Sequence, residues 1–247
     1  MLENKRVLIT GANGGIGSSI AKILLKNHAK LVLFYHNDKT QIDKLLEENV
    51  NQKDNIETHN LDLLKTKEIE KTVSKIIKRK IDIFIHAVTL PITHKKIENM
   101  DWDEYQKHID LQTKAFFEIT KAIIPNMKKN GGSRIICVLS SYTIGSPPKS
   151  ISPYVVGKYS LLGLTKCMAA EFAPAGITVN CISPTMTNTP LIDKFPKKLI
   201  EINAAQNPLG RILEPSDILS TVLFLCAENS NFITGQNIII SGGEVMY

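Results

Sequence analysis

Short apolar, β-branched runs alternate along this chain with longer segments whose apolar residues recur every three or four positions. The strand-like runs are RVLIT (6–10), KLVLFY (30–35), IETHN (56–60), IDIFIHA (81–87), RIICVLS (134–140), ITVNCIS (177–183) and NIIIS (237–241). Helix-length stretches at 15–27, 39–50, 66–79, 101–128, 153–173 and 215–228 separate nearly all of them. Runs that are apolar throughout, rather than alternating, are what strands look like when helices cover both faces of a parallel sheet. The β-α rhythm therefore predicts an α/β fold, a doubly wound parallel sheet of seven strands. No linker, internal repeat or low-complexity block divides the 247 residues, so the reading is a single domain, 1–247. In such sheets ligands bind beyond the carboxyl ends of the strands, where strand order reverses. Residues just after strands are thus the candidates for chemistry.

The first of these is TGANGGIG (10–17), between the first strand and the first helix. Its glycines follow G-x-x-x-G-x-G, at Gly11, Gly15 and Gly17. Glycine permits a tight turn and close approach of backbone to a pyrophosphate, whose charge suits amides at a helix N-terminus. That placement favours a nucleotide over a plain turn and marks the sheet as Rossmann-type. The second strand informs on which nucleotide. An acid at its end selects an unphosphorylated ribose, but here Tyr35, His36 and Asn37 precede Asp38, which falls in the turn starting the next helix. His36 and Asn37 are placed to meet a 2′-phosphate, so NADP(H) is expected over NAD(H).

In SPYVVGKYSLLGLTK (152–166), Tyr154 and Lys158 stand one helical turn apart and share a face. That spacing fits a catalytic pair and an ordinary surface pair equally. Taken with the other motifs it becomes specific. TGANGGIG, LSS (139–141), YVVGK (154–158), LD (61–62), GITVN (176–180), NPLGRILEP (207–215) and FITGQNIIISGG (232–243) occur in the order and spacing of the short-chain dehydrogenase/reductase family. The chain resembles that family over essentially its whole length, and within it the 3-oxoacyl-acyl-carrier-protein reductases.

The resemblance implies hydride transfer between a nicotinamide and a carbonyl or alcohol. Tyr154 would be the general acid, Lys158 the cation that lowers its pKa and holds the nicotinamide ribose, and Ser141, thirteen residues before Tyr154, the hydrogen-bond partner of the substrate oxygen. Ser140 is the alternative, because Gly145 stands one residue later than the S-S-x-x-G pattern places it from Ser141. Asn13 and Ile16 in the glycine loop, Asp62 and Leu63 by the adenine, His86 and Ala87 after the fourth strand, and Pro184, Thr187 and Thr189 around the nicotinamide complete the implied cofactor site. The stretches YTIGSPPKSISP (142–153) and 190–206 would form the substrate pocket, with a substrate loop near 186–210.

Four positions depart from the family. Its fourth catalytic residue, an Asn in the long helix, is Asp110, which lacks the amide donor and adds charge. NNAG becomes HAVT (86–89), which makes His86 a structural or cofactor-side residue; PG becomes Pro184-Thr185; DGG becomes SGG (241–243). Enoyl reductases related to the family place the Tyr seven residues before the Lys, where this chain has Ile151. Carbonyl reduction is therefore favoured, most of all of a 3-oxoacyl thioester on an acyl carrier protein or CoA, with Lys128 and Lys129 offered to such a carrier. A sugar or polyol dehydrogenase and a non-catalytic nucleotide-binding relative are the alternatives.

Composition adds exclusions. The net charge of +6 comes from lysines interspersed with acids, without the clustered Arg/Lys and aromatic platforms of nucleic-acid binding. No run approaches a membrane span, and MLENK leads directly into the first strand without a signal-peptide pattern. Cys137, Cys167, Cys181 and Cys226 lie in apolar settings without CxxC pairing and read as buried free thiols of a reducing, cytoplasmic compartment. The dispersed histidines give no metal-ligand spacing. A homotetramer (or dimer), with helices 101–128 and 153–173 between subunits, follows from family habit.

Overall fold

A computed structural model describes residues 2–129, 131–193 and 195–246. The strands are β1 (Arg6–Thr10), β2 (Lys30–Tyr35), β3 (Ile56–Asn60), β4 (Ile83–His86), β5 (Arg134–Val138), β6 (Thr178–Pro184) and β7 (Asn237–Ile240). They form one seven-stranded sheet of order β3-β2-β1-β4-β5-β6-β7, with every pair parallel. The fold is thus the doubly wound Rossmann type. Strand order reverses between β1 and β4, and the crevice above their carboxyl ends is the natural ligand position.

The helices are α1 (Gly15–Lys26), α2 (Thr40–Glu48), α3 (Thr66–Ile76), α4 (Trp102–Ile109), α5 (Ala115–Lys128), α6 (Ser152–Phe172), α7 (Lys197–Gln206) and α8 (Leu219–Cys226). The period-two alternation of each strand divides the core into two layers. Leu8, Val32, Phe34, Phe84, Ile135, Cys137, Val179 and Cys181 pack towards α3, α5 and α6. Val7, Ile9, Leu31, Leu33, Ile83, Ile85, Ile136, Val138 and Ile182 pack towards α1, α2 and α8.

Two elements differ from the sequence expectation. The segment 101–128 is not one helix: between α4 and α5 it widens into a π turn, Asp110–Lys114. The segment 190–206 contains α7, whose weak amphipathicity hides it; none of its residues is buried.

Phe116 carries much of the first layer: it is fully buried and its ring stacks on Phe84 at 5.7 Å. Phe116→Ala is expected to lower unfolding free energy by about 3–5 kcal/mol in urea titration, the usual cost of deleting a buried aromatic; a loss below about 1 kcal/mol would contradict this packing.

Candidate active site

Four strand ends converge on the crevice. From β1, Gly11 (φ +71°) turns the chain so closely against β4 that a Cβ there would lie 2.3 Å from the Ala87 carbonyl oxygen. Ala87 in turn donates its amide to Thr10 O. Gly14 precedes α1 without a side-chain cap, and no acid stands in the first turn, so the first-turn amides, that of Ile16 among them, are left for an anion. Gly17 is buried in that turn. Asn13 accepts from the Gln41 and Ile42 amides and donates to Asp38 Oδ2 at 2.7 Å. Asp38 also accepts from the Thr40 amide and hydroxyl, which hold its carboxyl below the usual range. Its carboxylate is therefore engaged in starting α2, whereas His36 and Asn37 are exposed beside half-buried Tyr35. After β3, Asp62 accepts from the Leu64 amide and Leu63 is buried. After β6, Thr187 is buried, and Thr189 reaches the glycine loop so closely that a Cβ on Gly15 would lie 2.6 Å from its Cγ2. Pro184 ends β6 beneath that loop. Bare backbone, uncapped amides and an overhanging threonine make a cradle that fits a dinucleotide pyrophosphate.

Tyr154 and Lys158 lie on the first turns of α6, both buried. The Lys158 ammonium donates to Val138 O at 2.8 Å and Val88 O at 3.4 Å, and sits 5.8 Å from the Tyr154 ring centroid. Burial pushes its pKa down to about 8. Burial pushes Tyr154 up, and the group opposing that shift is Ser140, because the ammonium is turned to backbone carbonyls. The protonated phenol that results is an acid in waiting.

Of the two serines, the structure brings Ser140 to Tyr154. Its hydroxyl lies against the phenol and accepts from the Tyr142 amide. Ser141 points away; its Oγ is buried without a hydrogen-bond partner among the described residues. The side-chain alternation at the end of β5 decides this, and counting back from Tyr154 misses it because the loop between carries an extra residue.

Asp110 is likewise displaced. It is half-buried on the outer side of the π turn, where Gln106 donates to its Oδ1 at 3.0 Å. The residue turned inward is Gln112, fully buried. A Cβ on Gly157, between Tyr154 and Lys158, would lie 3.2 Å from its amide atoms. His86 is structural: its Nε2 donates to Gln112 O at 3.0 Å, which makes Nδ1 the acceptor for the Thr10 hydroxyl at 2.8 Å. Burial, then the Lys158 charge, hold its pKa down to about 3, so it stays neutral.

Apolar residues surround the phenol: Ile151 and Val155, with Ile92 and Tyr142 packed against them. His94 and Phe195 meet edge to face at 4.9 Å, joining the loop after β4 to the segment before α7. Lys128 ends α5 and Lys129 follows it as the C-cap; the chain then leads into the amino end of β5, so both lysines lie on the edge opposite the crevice. Cys167 is exposed, against the expectation of four buried thiols, and Cys137 and Cys181 are cross-strand neighbours in register. No group of His, Cys, Asp and Glu among the described residues could hold a metal.

The sequence matches the family described as Enoyl-(Acyl carrier protein) reductase over residues 11–244. The chain belongs to the short-chain dehydrogenase/reductase family. It is 30% identical over 249 residues to the 3-oxoacyl-[acyl-carrier-protein] reductase FabG of Thermotoga maritima, covering 99% of both chains. Among solved structures it resembles the 3-ketoacyl-(acyl-carrier-protein) reductase of Brucella melitensis complexed with NADH (TM-score 0.86, 29% identity, 99% of both chains). It also resembles a short-chain dehydrogenase/reductase of the same organism described as glucose/ribitol dehydrogenase (TM-score 0.90, 28% identity, 100% of this chain and 98% of that one). As a member of this family, the chain is an oxidoreductase.

Lys158 yields a test that needs no substrate. Its folded-state pKa of about 8 lies below the ordinary 10.5, so between these values the unfolded chain binds a proton that the folded chain lacks. Folding stability attributable to this group therefore rises with pH across that window. The stability of wild type relative to Lys158→Met should improve by roughly 3 kcal/mol from pH 7.5 to pH 10.5. Parallel stability curves would show that the ammonium is not desolvated.

Proposed function

We propose that this protein is an NADP(H)-dependent ketoreductase that converts a ketone to a secondary alcohol, acting on 3-oxoacyl thioesters linked to acyl carrier protein or CoA. The observation that carries the reading is the buried, protonated Tyr154 with a serine hydroxyl against its phenol and an ammonium one turn away. Tyr154 gives its proton to the carbonyl oxygen, and Ser140 hydrogen-bonds that oxygen. Lys158, with two of its protons on backbone carbonyls, keeps the third for the nicotinamide ribose. The cofactor, when bound, supplies the hydride. Gly11, Asn13, Gly15, Ile16 and Gly17 would cradle its pyrophosphate, Asp62 and Leu63 its adenine, and Pro184, Thr187 and Thr189 its nicotinamide. Asp38, engaged by Asn13 and Thr40, leaves Tyr35, His36 and Asn37 for the 2′-phosphate, which supports NADP(H).

Ketone over double-bond reduction is supported by the apolar, buried Ile151 at the position seven residues before Lys158. An acyl substrate is supported by the apolar wall of Ile92, Ile151 and Val155, which offers few partners to a polyol. A cytoplasmic location goes with the free thiols. Homotetrameric assembly goes with Phe117 of α5 and Val156 and Tyr159 of α6, large apolar side chains left on the surface.

NADPH oxidation with an acetoacetyl thioester tests the reading. Tyr154→Phe is expected to lower kcat at least ~100-fold, the usual worth of a positioned general acid. Ser140→Ala should fall further than Ser141→Ala, and NADPH should give the higher kcat/KM than NADH. Full activity in Tyr154→Phe, or a preference for NADH, would overturn the mechanism or the cofactor assignment respectively.

A further inference from the structure

The π turn Asp110–Lys114 is gripped from two sides. From the sheet, His86 donates Nε2–H to Gln112 O and is itself fixed by the Thr10 hydroxyl, one residue before the glycine loop. From α6, the backbone of Gly157 lies flat against the Gln112 amide. The Thr113 hydroxyl reaches Gly157 O at 3.4 Å and Ser160 Oγ at 2.5 Å, and Ser160 donates to Gly157 O at 2.9 Å. Gly157 belongs to the same turn as Tyr154 and Lys158. The Gln112 side chain is anchored in its turn: Nε2 donates to His108 Nδ1 at 2.9 Å. The His108 ring stands edge-on to the Tyr154 ring, with centroids 6.2 Å apart and planes at 87°.

We propose that Gln112 and His108, and not Asp110, are the positioning residues for Tyr154 and Lys158: together they clamp the turn of α6 that presents the phenol. The carboxamide that serves the catalytic turn reaches it from two residues beyond the position at which the chain carries Asp110. The π turn makes this possible, because its shifted hydrogen bonding releases the Gln112 carbonyl to His86 and rotates the side chain inward. The clamp requires an unprotonated His108 Nδ1, since an amide N–H needs a lone pair opposite. The charged and titratable groups around His108 and the phenol are Lys158 on α6, Glu104 on α4 and Tyr142 after β5. Burial first, and then the Lys158 charge, disfavour a second cation there, and Glu104 opposes them. Gln112 Oε1 keeps no hydrogen-bond partner among the described residues, so His108 is the partner that orients the amide.

The proposal rests on the ketoreductase reading for its activity arm only. His108→Phe keeps the ring against Tyr154 but removes the acceptor; His108→Asn loses the ring and restores an acceptor. If hydrogen-bonded positioning is the role, His108→Phe and Gln112→Met lower kcat about tenfold or more with KM little changed, as small misplacements do, and His108→Asn recovers most of it. Packing alone gives the reverse order of the two His108 variants and overturns the proposal, as does a fall in kcat for Asp110→Asn that the Gln112 and His108 variants do not share. Gly157→Ala, pressing a methyl on the amide from the other side, should imitate Gln112→Met.

The second arm is the tyrosinate absorbance titration of each protein minus its Tyr154→Phe counterpart, which needs no substrate. Loss of the clamp admits water to the phenol, so the Tyr154 midpoint falls by about half a pH unit in His108→Phe and Gln112→Met but not in His108→Asn. Unchanged midpoints overturn the proposal whatever the activity. A wild type inactive on the thioester, with the midpoints shifted as stated, overturns the ketoreductase reading and leaves the clamp supported. Circular dichroism melts of each variant exclude unfolded protein from both arms.

Discussion

A buried ammonium at the carboxyl end of a parallel sheet constrains everything around it. Taking a lysine charge out of water is costly unless oxygens face it. In this molecule those oxygens are strand-end carbonyls, Val138 on β5 and Val88 just past β4, so the charge is satisfied only where these two strands lie side by side. Neighbouring groups adapt to it. His86 and His108 stay neutral, and no carboxylate figures among the groups that shift the pKa of Lys158. The phenol one turn away stays protonated. An acid, a cation and a dry surface thus follow from one placement at the point where strand order turns.

Much of the fold was legible because its signal is local and repeated. The three strands at one side of the sheet, 6–10, 30–35 and 56–60, end where the apolar runs end. The run 134–140 overshoots because Leu139 and Ser140 stay buried while leaving the ladder. Helix α7 escaped because it buries no residue, so no apolar stripe marks it.

At the site, residues attached to motifs of fixed spacing are legible along the chain, and placements decided by a bulge or an insertion are not. Tyr154, Lys158 and the glycines need only helix periodicity and a strand-to-helix turn. The choice between Ser140 and Ser141 depends on which way β5 points its last side chains, a matter of register, not of distance along the chain. Gln112 and His108 were invisible in the strip KHIDLQTKAFF, read as ordinary helix. One signal was present: polar His108 and Gln112 occur four apart on the face that also carries buried Ala115, Phe116 and Ile119. A histidine and a glutamine on an apolar face need each other.

The lone exposed thiol gives the molecule a built-in reporter. Cys137, Cys181 and Cys226 are sealed in the core, and only Cys167 meets solvent. It shares one stripe of α6 with Val156 and Gly163, at intervals of seven and four residues. Gly163 has open space where a side chain would be, so another surface can approach the helix backbone closely along that stripe. A neighbour seated there would cover Cys167 while leaving the crevice three turns away untouched. The rate at which a small alkylating reagent modifies the native chain therefore reports whether anything is seated on that stripe of α6, without any engineered label.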